Sequence, residues 1–251
     1  MEATLVKTGV RVKANPVKIT PEQVKFYDEF GYVIIPDLYN EEACETIKNV
    51  VEQFAEEDFS VILNIHRRVD LFYEIMRDPV LIAIMKTIQR HKVVMLNDQF
   101  LFKKPQTVYG KQSWNPHQDN AYVRAPRGAY TQLHIFLDKS EKENGGLFYY
   151  PGSHNEDILP YEYVKSWKED LDERGISHPG WKINEIPPQY ERIDVTGPKG
   201  GICIQHGNLV HGSYPNLTQD RSREQLSLAY LNEGAVYQEG SASTKIPIAV
   251  E

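Results

Sequence analysis

A chain of 251 residues with 41% apolar and 25% charged residues can bury a substantial core, as one domain or two. Its formal net charge of -7 excludes a bulk electrostatic grip on nucleic acid or an anionic membrane, and leaves room for a local cationic patch around a small anion. Two distant cysteines, Cys44 and Cys203, predict reduced thiols in a cytoplasmic protein; "MEATLVKTGV" reads as neither signal core nor transit segment, and no apolar run is long enough to span a membrane.

The first element is predicted in "TPEQVKFYDEFGYVIIP", where Thr20, Pro21 and Gln23 form a helix start of the capping-box type. Gly31 ends that helix, and "YVIIP" reads as a short strand stopped by Pro36. A second helix starts at Asn40, with Ala43, Ile47, Val50, Val51 and Phe54 on one face. A third runs from Asp78-Pro79 to about Gln89, with Leu81, Ile84, Met85 and Ile88 inward.

From Val93 the texture changes to short apolar or alternating runs: "VVMLNDQFLF", "YTQLHIFL", "GLFYYPG", "ERIDV", "GGICIQ" and "QLSLAYL". Many short strands after a few helices predict a β-sandwich or barrel carrying helices on one side. The segment at about 155–188 is charged, aromatic and Pro-bearing, too long for a hairpin loop, and reads as an insertion or lid.

"WNPHQDNAYV" places His117 two residues before Asp119, and on an extended segment two such side chains point the same way. With one more histidine they make a facial set of two imidazoles and a carboxylate, which leaves three positions open on an octahedral ion. Alone, His-x-Asp is a weak signal that chance supplies often, and a surface turn accounts for it. His211 and His206 are the available third histidines. Arg221 and Arg223 follow His211 and enter a strand; they suit bidentate pairing with a carboxylate, or solvated ion pairs with Asp220 and Glu224.

Four pieces in this order, "PEQVKFYDEFGYVIIPDLYNEEAC", "WNPHQDNAYV", "LDKSEKENGGLFYYPGSH" and "HGSYPNLTQDRSREQLSLAYL", resemble the phytanoyl-CoA dioxygenase family of Fe(II)- and 2-oxoglutarate-dependent oxygenases. The resemblance covers about residues 20 to 232. It implies a mainly β fold with flanking helices (α+β), a double-stranded β-helix or cupin-like jelly roll. The chain would then be a single oxygenase domain over 1–251, with mostly helical support at about 20–92, a core at 93–232 and the lid at about 155–188.

The same resemblance implies Fe(II) on His117, Asp119 and His211, with His206 a strand-end structural residue. It implies 2-oxoglutarate as cosubstrate, O2 as oxidant and a small organic substrate undergoing C–H hydroxylation or a related oxidation. Ser213 and one arginine would meet the far carboxylate of 2-oxoglutarate. The family's usual spacing falls on Ser222, while counting back from "QLSLAYL" selects Arg223, with Arg221 the alternative on the same strand face. His134 stands where the family often has tryptophan; it reads as a cavity-lining residue or a hydrogen-bonded core histidine. Asn97 and Gln99 resemble polar positions that meet 2-oxoglutarate, or are sheet-face polar residues. Trp114, Asn120 and Tyr122 are candidates for the substrate wall. Tyr161, Tyr163, Trp167 and Trp181 in the insertion either cover the site or form the lid's own small core.

Two other readings stay open: a cupin-like metalloenzyme that does not use 2-oxoglutarate, and a non-catalytic jelly-roll binding or sensor protein. A dicarboxylate gives the arginine a defined role that neither rival does. "NGG" and "PKGG" lack the setting of a phosphate loop, the carboxylates from Asp157 to Asp170 have no paired spacing, and Ser153-His154 lacks a nucleophile elbow.

Overall fold

The computed structural model describes residues 5–55, 61–164, 172–239 and 246–251. Thr20 caps α1 (Pro21–Phe30): its hydroxyl accepts from Gln23 N at 3.2 Å, and Gln23 Oε1 accepts from Thr20 N at 2.9 Å. Such a cap contributes about 1 kcal/mol. Gly31 ends the helix at φ 81, and β1 (Tyr32–Ile35) follows. Asn40 caps α2 (Glu41–Glu52), which buries Ala43, Cys44, Ile47, Val50 and Val51. β2 (Val61–Leu63) and α3 (Asp70–Ile75) come next, and neither is foreseen from the sequence pattern. α4 (Pro79–Gln89) begins at its Asp78 cap and buries the predicted stripe.

The β-rich part contains β3 (Val93–Lys103), β4 (Trp114–His117), the single turn α5 (Asn120–Val123), β5 (Tyr130–Phe136) and β6 (Leu147–Tyr149). It continues with β7 (Tyr161–Val164), β8 (Gly180–Ile183), β9 (Ile193–Asp194), β10 (Ile202–His206), β11 (His211–Ser213), β12 (Arg223–Asn232) and β13 (Ile248–Ala249). A seven-stranded antiparallel sheet runs β1-β10-β5-β12-β3-β13, with β2 also on β3. A four-stranded sheet runs β4-β11-β6-β9, and β7-β8 form a separate hairpin. The two larger sheets enclose a cavity between them: a jelly roll with helices on its outer face.

The boundary drawn at residue 93 is not a structural one. β1 and β2, inside the stretch expected to be mostly helical support, pair with β10 and β3, and β13 extends the large sheet beyond residue 232. The insertion folds in part as the β7-β8 hairpin, while Trp167 lies outside the described residues.

Strand alternation sorts the large sheet into two chemistries. Phe100, Phe102, Leu133, Ile135, Ile202, Ile204, Leu226 and Leu228 face outward into one core with α2, α3 and α4. Truncating one of them, Leu133 or Leu228, to alanine costs about 2–5 kcal/mol. The opposite face presents Asn97, Gln99, Lys103, Gln132, His134, Arg223, Gln225 and Ser227 to the cavity. Both cysteines are free and buried.

Candidate metal centre

β11 lies between β4 and β6, with His211 directly opposite His117 and the ring centroids 4.3 Å apart. Gly212 is required there, because a Cβ would sit 2.3 Å from Phe148 Cζ and 2.5 Å from Trp114 O. The His117 ring donates from Nδ1 to Asn115 O at 2.7 Å, and the His211 ring from Nδ1 to Leu209 O at 3.0 Å. Each imidazole therefore turns its Nε2 lone pair toward the space between them, where the Gln205 amide Nε2 also lies 3.3 Å from that of His211. Asp119 lies against both: Oδ1 is 3.5 Å from His117 Nε2, and Oδ2 is 3.6 Å from His211 Nε2.

One ligand atom from each of His117, Asp119 and His211 falls within 4.8 Å of the others. Two imidazole nitrogens and one carboxylate oxygen on one side suit a divalent transition metal with open positions. Burial opposes ionisation of Asp119, but His211 and His117 outweigh it and hold the carboxyl well below its ordinary range. Burial pushes His211 down to about 4, which keeps it neutral and able to ligate at physiological pH.

The spacing of His117 and Asp119 predicts that they share one extended strand, and they do not. β4 ends at His117, and Asp119 has helical angles, φ -60 and ψ -32, at the start of α5. Gln118 is the residue turned away, and its amide is fully engaged. Its Nε2 donates to Asn208 O at 2.8 Å and Asp157 O at 3.2 Å, and its Oε1 accepts from Leu159 N at 2.8 Å. A turn, not an extended strand, brings the carboxylate beside the imidazole.

The cavity is about 390 Å³, and His117, Asp119 and His211 stand in its wall. At one end Arg223, 2% exposed, donates to Gly145 O at 3.0 and 2.8 Å from Nε and Nη2. Burial lowers its guanidinium to about 10, so it keeps its charge at neutral pH. Lys103, 1% exposed, donates to Ser213 Oγ at 2.8 Å, to Gln112 O at 2.9 Å and to Tyr214 O. Burial, then the nearby Arg223, holds its ammonium well below the ordinary lysine range. Arg221 is elsewhere: its side chain is 45% exposed and pairs with Glu141 at 2.6 Å.

Trp114, Tyr122, Val123, Tyr130, Val61 and Leu63 form the less polar wall. The β7-β8 hairpin leans on it, Trp181 packing on Tyr122 at 5.6 Å and on Tyr161 at 4.3 Å between centroids. Gly180, at φ 90, lets the hairpin backbone meet Trp114, whose Cζ3 is 2.8 Å from where a Cβ would stand. Asn120 does not join this wall. Its Nδ2 donates to Ala125 O at 2.9 Å and Asn208 Oδ1 at 2.8 Å, and its Oδ1 accepts from Ala125 N at 3.0 Å, so it staples the turn after α5.

Asn97, Gln99 and His134 all line the cavity, and burial lowers His134 to about 4. His206 stands apart from it, its ring 5.2 Å from that of His154 and its Nδ1 accepting from Asn208 N at 3.0 Å. The sequence reading missed Lys103, Gln205 and Gln225. For Gln225 the signal was there in "REQLSLAYL", where Arg223, Gln225 and Ser227 fall at every second position and so share one face.

A family model described as phytanoyl-CoA dioxygenase (PhyH) matches residues 27–224. The chain belongs to the phytanoyl-CoA dioxygenase family. It is 25% identical over 226 residues to the peroxisomal phytanoyl-CoA dioxygenase of Mus musculus, covering 80% of this chain and 65% of that protein. It is 26% identical over 160 residues to a "probable alpha-ketoglutarate-dependent hypophosphite dioxygenase" of Stutzerimonas stutzeri, covering 64% and 53%. The chain thus matches between about half and two thirds of the length of these relatives. The fold is shared with the non-heme alpha ketoglutarate dependent carbocyclase SnoK from nogalamycin biosynthesis (TM-score 0.70, 21% identity, 88% of both chains). It is also shared with EvdO2 from Micromonospora carbonacea var. aurantiaca complexed with 2-oxoglutarate (TM-score 0.67, 16% identity, 91% of this chain and 96% of that one). No helix among the described residues is long and apolar enough to cross a membrane.

Proposed function

We propose that the protein is an Fe(II)- and 2-oxoglutarate-dependent dioxygenase acting on a small organic substrate. The reaction converts 2-oxoglutarate and O2 to succinate and CO2, with hydroxylation of a substrate C–H bond or a related oxidation. The observation that carries this reading is one cavity holding both a His117-Asp119-His211 donor set and a buried cationic end.

His117, Asp119 and His211 would hold the iron, which supplies the redox chemistry that consumes O2 and 2-oxoglutarate. Three protein ligands leave three positions on an octahedral ion, enough for a chelating keto acid and O2. Arg223 and Lys103 would neutralise the far carboxylate, with Ser213 held toward it by Lys103. Asn97, Gln99 and His134 border the same space. Trp114, Tyr122 and Tyr130 would exclude water on the substrate side and favour a substrate with an apolar or flat face. The relatives' names mention substrates as unlike as a CoA thioester and hypophosphite, so the family does not set the substrate.

A cupin-like enzyme without 2-oxoglutarate leaves Lys103 and Arg223 buried with no anion to hold, a costly arrangement. A non-catalytic scaffold has no use for a complete donor set. The chain is best read as one oxygenase domain, and its two buried free thiols support a reducing compartment such as the cytoplasm.

The test is binding and turnover. With Mn(II) present, 2-oxoglutarate at about a hundred times its Kd should stabilise the fold by about 2.7 kcal/mol. Fe(II) should be required for succinate release. Neither stabilisation nor succinate across a broad substrate panel would overturn the reading.

A further inference from the structure

β10, β5 and β12 are adjacent in the large sheet, and one polar side chain from each meets the next across the cavity face. Arg223 Nη1 donates to Gln225 Oε1 at 3.2 Å, and Gln225 Nε2 donates to His134 Nδ1 at 2.8 Å. His134 Nε2 then donates to Gln205 Oε1 at 3.3 Å, and Gln205 Nε2 donates to Asp119 Oδ2 at 3.2 Å. The two ends fix every proton between them. A guanidinium only donates and a carboxylate only accepts, so both glutamine amides have one possible orientation. His134 must then carry its proton on Nε2 and accept at Nδ1, where the Ser227 hydroxyl also lies at 2.8 Å.

We propose that Gln225, His134 and Gln205 form one relay that positions the metal-facing carboxylate of Asp119 from the guanidinium of Arg223. This rests on the reading of the two ends as metal ligand and cosubstrate anchor. Gln225, His134 and Gln205 are 1%, 5% and 0% exposed, so no bulk water competes for their hydrogen bonds. Gln205 restrains one oxygen of Asp119 and, through the same Nε2, lies 3.3 Å from His211 Nε2, and His134 restrains Gln205. Because the links are in series, a break in the middle releases the carboxylate as a break beside it does. His134 is a positioning residue here, acting on the metal site through Gln205 without being a ligand.

The experiment measures Mn(II) affinity without cosubstrate, from the free-ion EPR signal, on the full chain. Wild type is compared with His134→Leu, Gln205→Leu, their double variant and Gln225→Leu. Loss of an outer-shell partner of a metal ligand weakens metal binding about 10–100-fold. Gln205→Leu should fall in that range, and His134→Leu should weaken binding about tenfold although it touches no ligand. The double variant should bind no more weakly than Gln205→Leu alone, because serial links do not add.

Tyr230→Phe, which removes a hydrogen bond to Met76 O at 2.9 Å on the outer face, controls for general loosening and should bind Mn(II) as wild type does. Independent multiplicative losses, an unchanged His134→Leu, or an equal loss in Tyr230→Phe would overturn the relay alone. If His134→Leu does not fold, Gln225→Leu decides: weakened Mn(II) binding supports the relay, and unchanged binding overturns it. A wild-type chain that binds no Mn(II) overturns the metal-site reading and the relay with it.

Discussion

The ammonium of Lys103, on the large sheet, donates to the hydroxyl of Ser213, on the small one, at 2.8 Å. This contact closes one end of the cavity and puts a second cationic group beside Arg223. Lys103→Met keeps the length of the side chain and removes the charge. It should weaken 2-oxoglutarate binding about tenfold to a hundredfold, the range for a hydrogen bond to a charged group, and leave Mn(II) affinity near wild type. Calorimetry on the Mn(II)-loaded protein reads both.

The same lysine predicts a proton linkage. Its ammonium is held well below the ordinary range by burial first and by Arg223 second. A bound dicarboxylate favours the charged form and raises it again. Binding of 2-oxoglutarate should therefore take up protons wherever part of the free chain carries Lys103 as the neutral amine. The check is calorimetry in buffers of different ionisation enthalpy, and Lys103→Met should lose the uptake.

The two arginines should separate cleanly. Arg223 is buried against Gly145 O, and Arg221 pairs with Glu141 at the surface. Arg223→Leu should weaken 2-oxoglutarate binding by about a hundredfold, corresponding to about 2.7 kcal/mol. Arg221→Leu should leave that affinity near wild type and cost at most about 1 kcal/mol of stability.

Within His-Gln-Asp, opposite outcomes are expected from adjacent residues. Asp119→Asn should weaken Mn(II) binding by more than the roughly 10–100-fold that outer-shell changes cost. Gln118→Ala should leave Mn(II) affinity near wild type and destabilise the fold by about 1–3 kcal/mol, because it strands the Leu159 amide and two carbonyls. Metal titration and thermal melts on the two variants check this.

Glu224 sets an alkaline weakness. Burial raises its carboxyl to about 7; Lys48 opposes this and Asp138 adds to it. Between the ordinary carboxyl value of 4.5 and about 7 the folded chain holds more protons than the unfolded one, so this contribution is full below that window and is lost as pH rises through it. Glu224→Gln should remove the slope and gain on the order of 2 kcal/mol over wild type at mildly alkaline pH. Denaturation midpoints across the window test it.

α1, α2 and α4 are legible because their signals are local: Thr20 with Gln23, Asn40 before two glutamates, Asp78-Pro79. His117, Asp119 and His211 are conspicuous for the same reason, standing in short motifs. Lys103 and Gln205 are not, because polar residues alternating with apolar ones along a strand look the same whether they face water or an enclosed cavity. Only the partner sheet decides, and no local pattern encodes it. Asn120 fails in the opposite way: proximity to the motif placed it at the site, but the turn of α5 directs its amide back to Ala125 and Asn208. α3 is too short, at six residues, to display a helical period.

β4 is four residues long, with Trp114 at one end and His117 at the other. The hairpin rests on the indole through Gly180, and the metal-facing imidazole is locked to His211 across the strand pair. The exchangeable cover and the fixed chemical centre therefore share one short splint. A change of side chains on the hairpin alone would alter what the cavity admits and leave the His117–His211 pair in place.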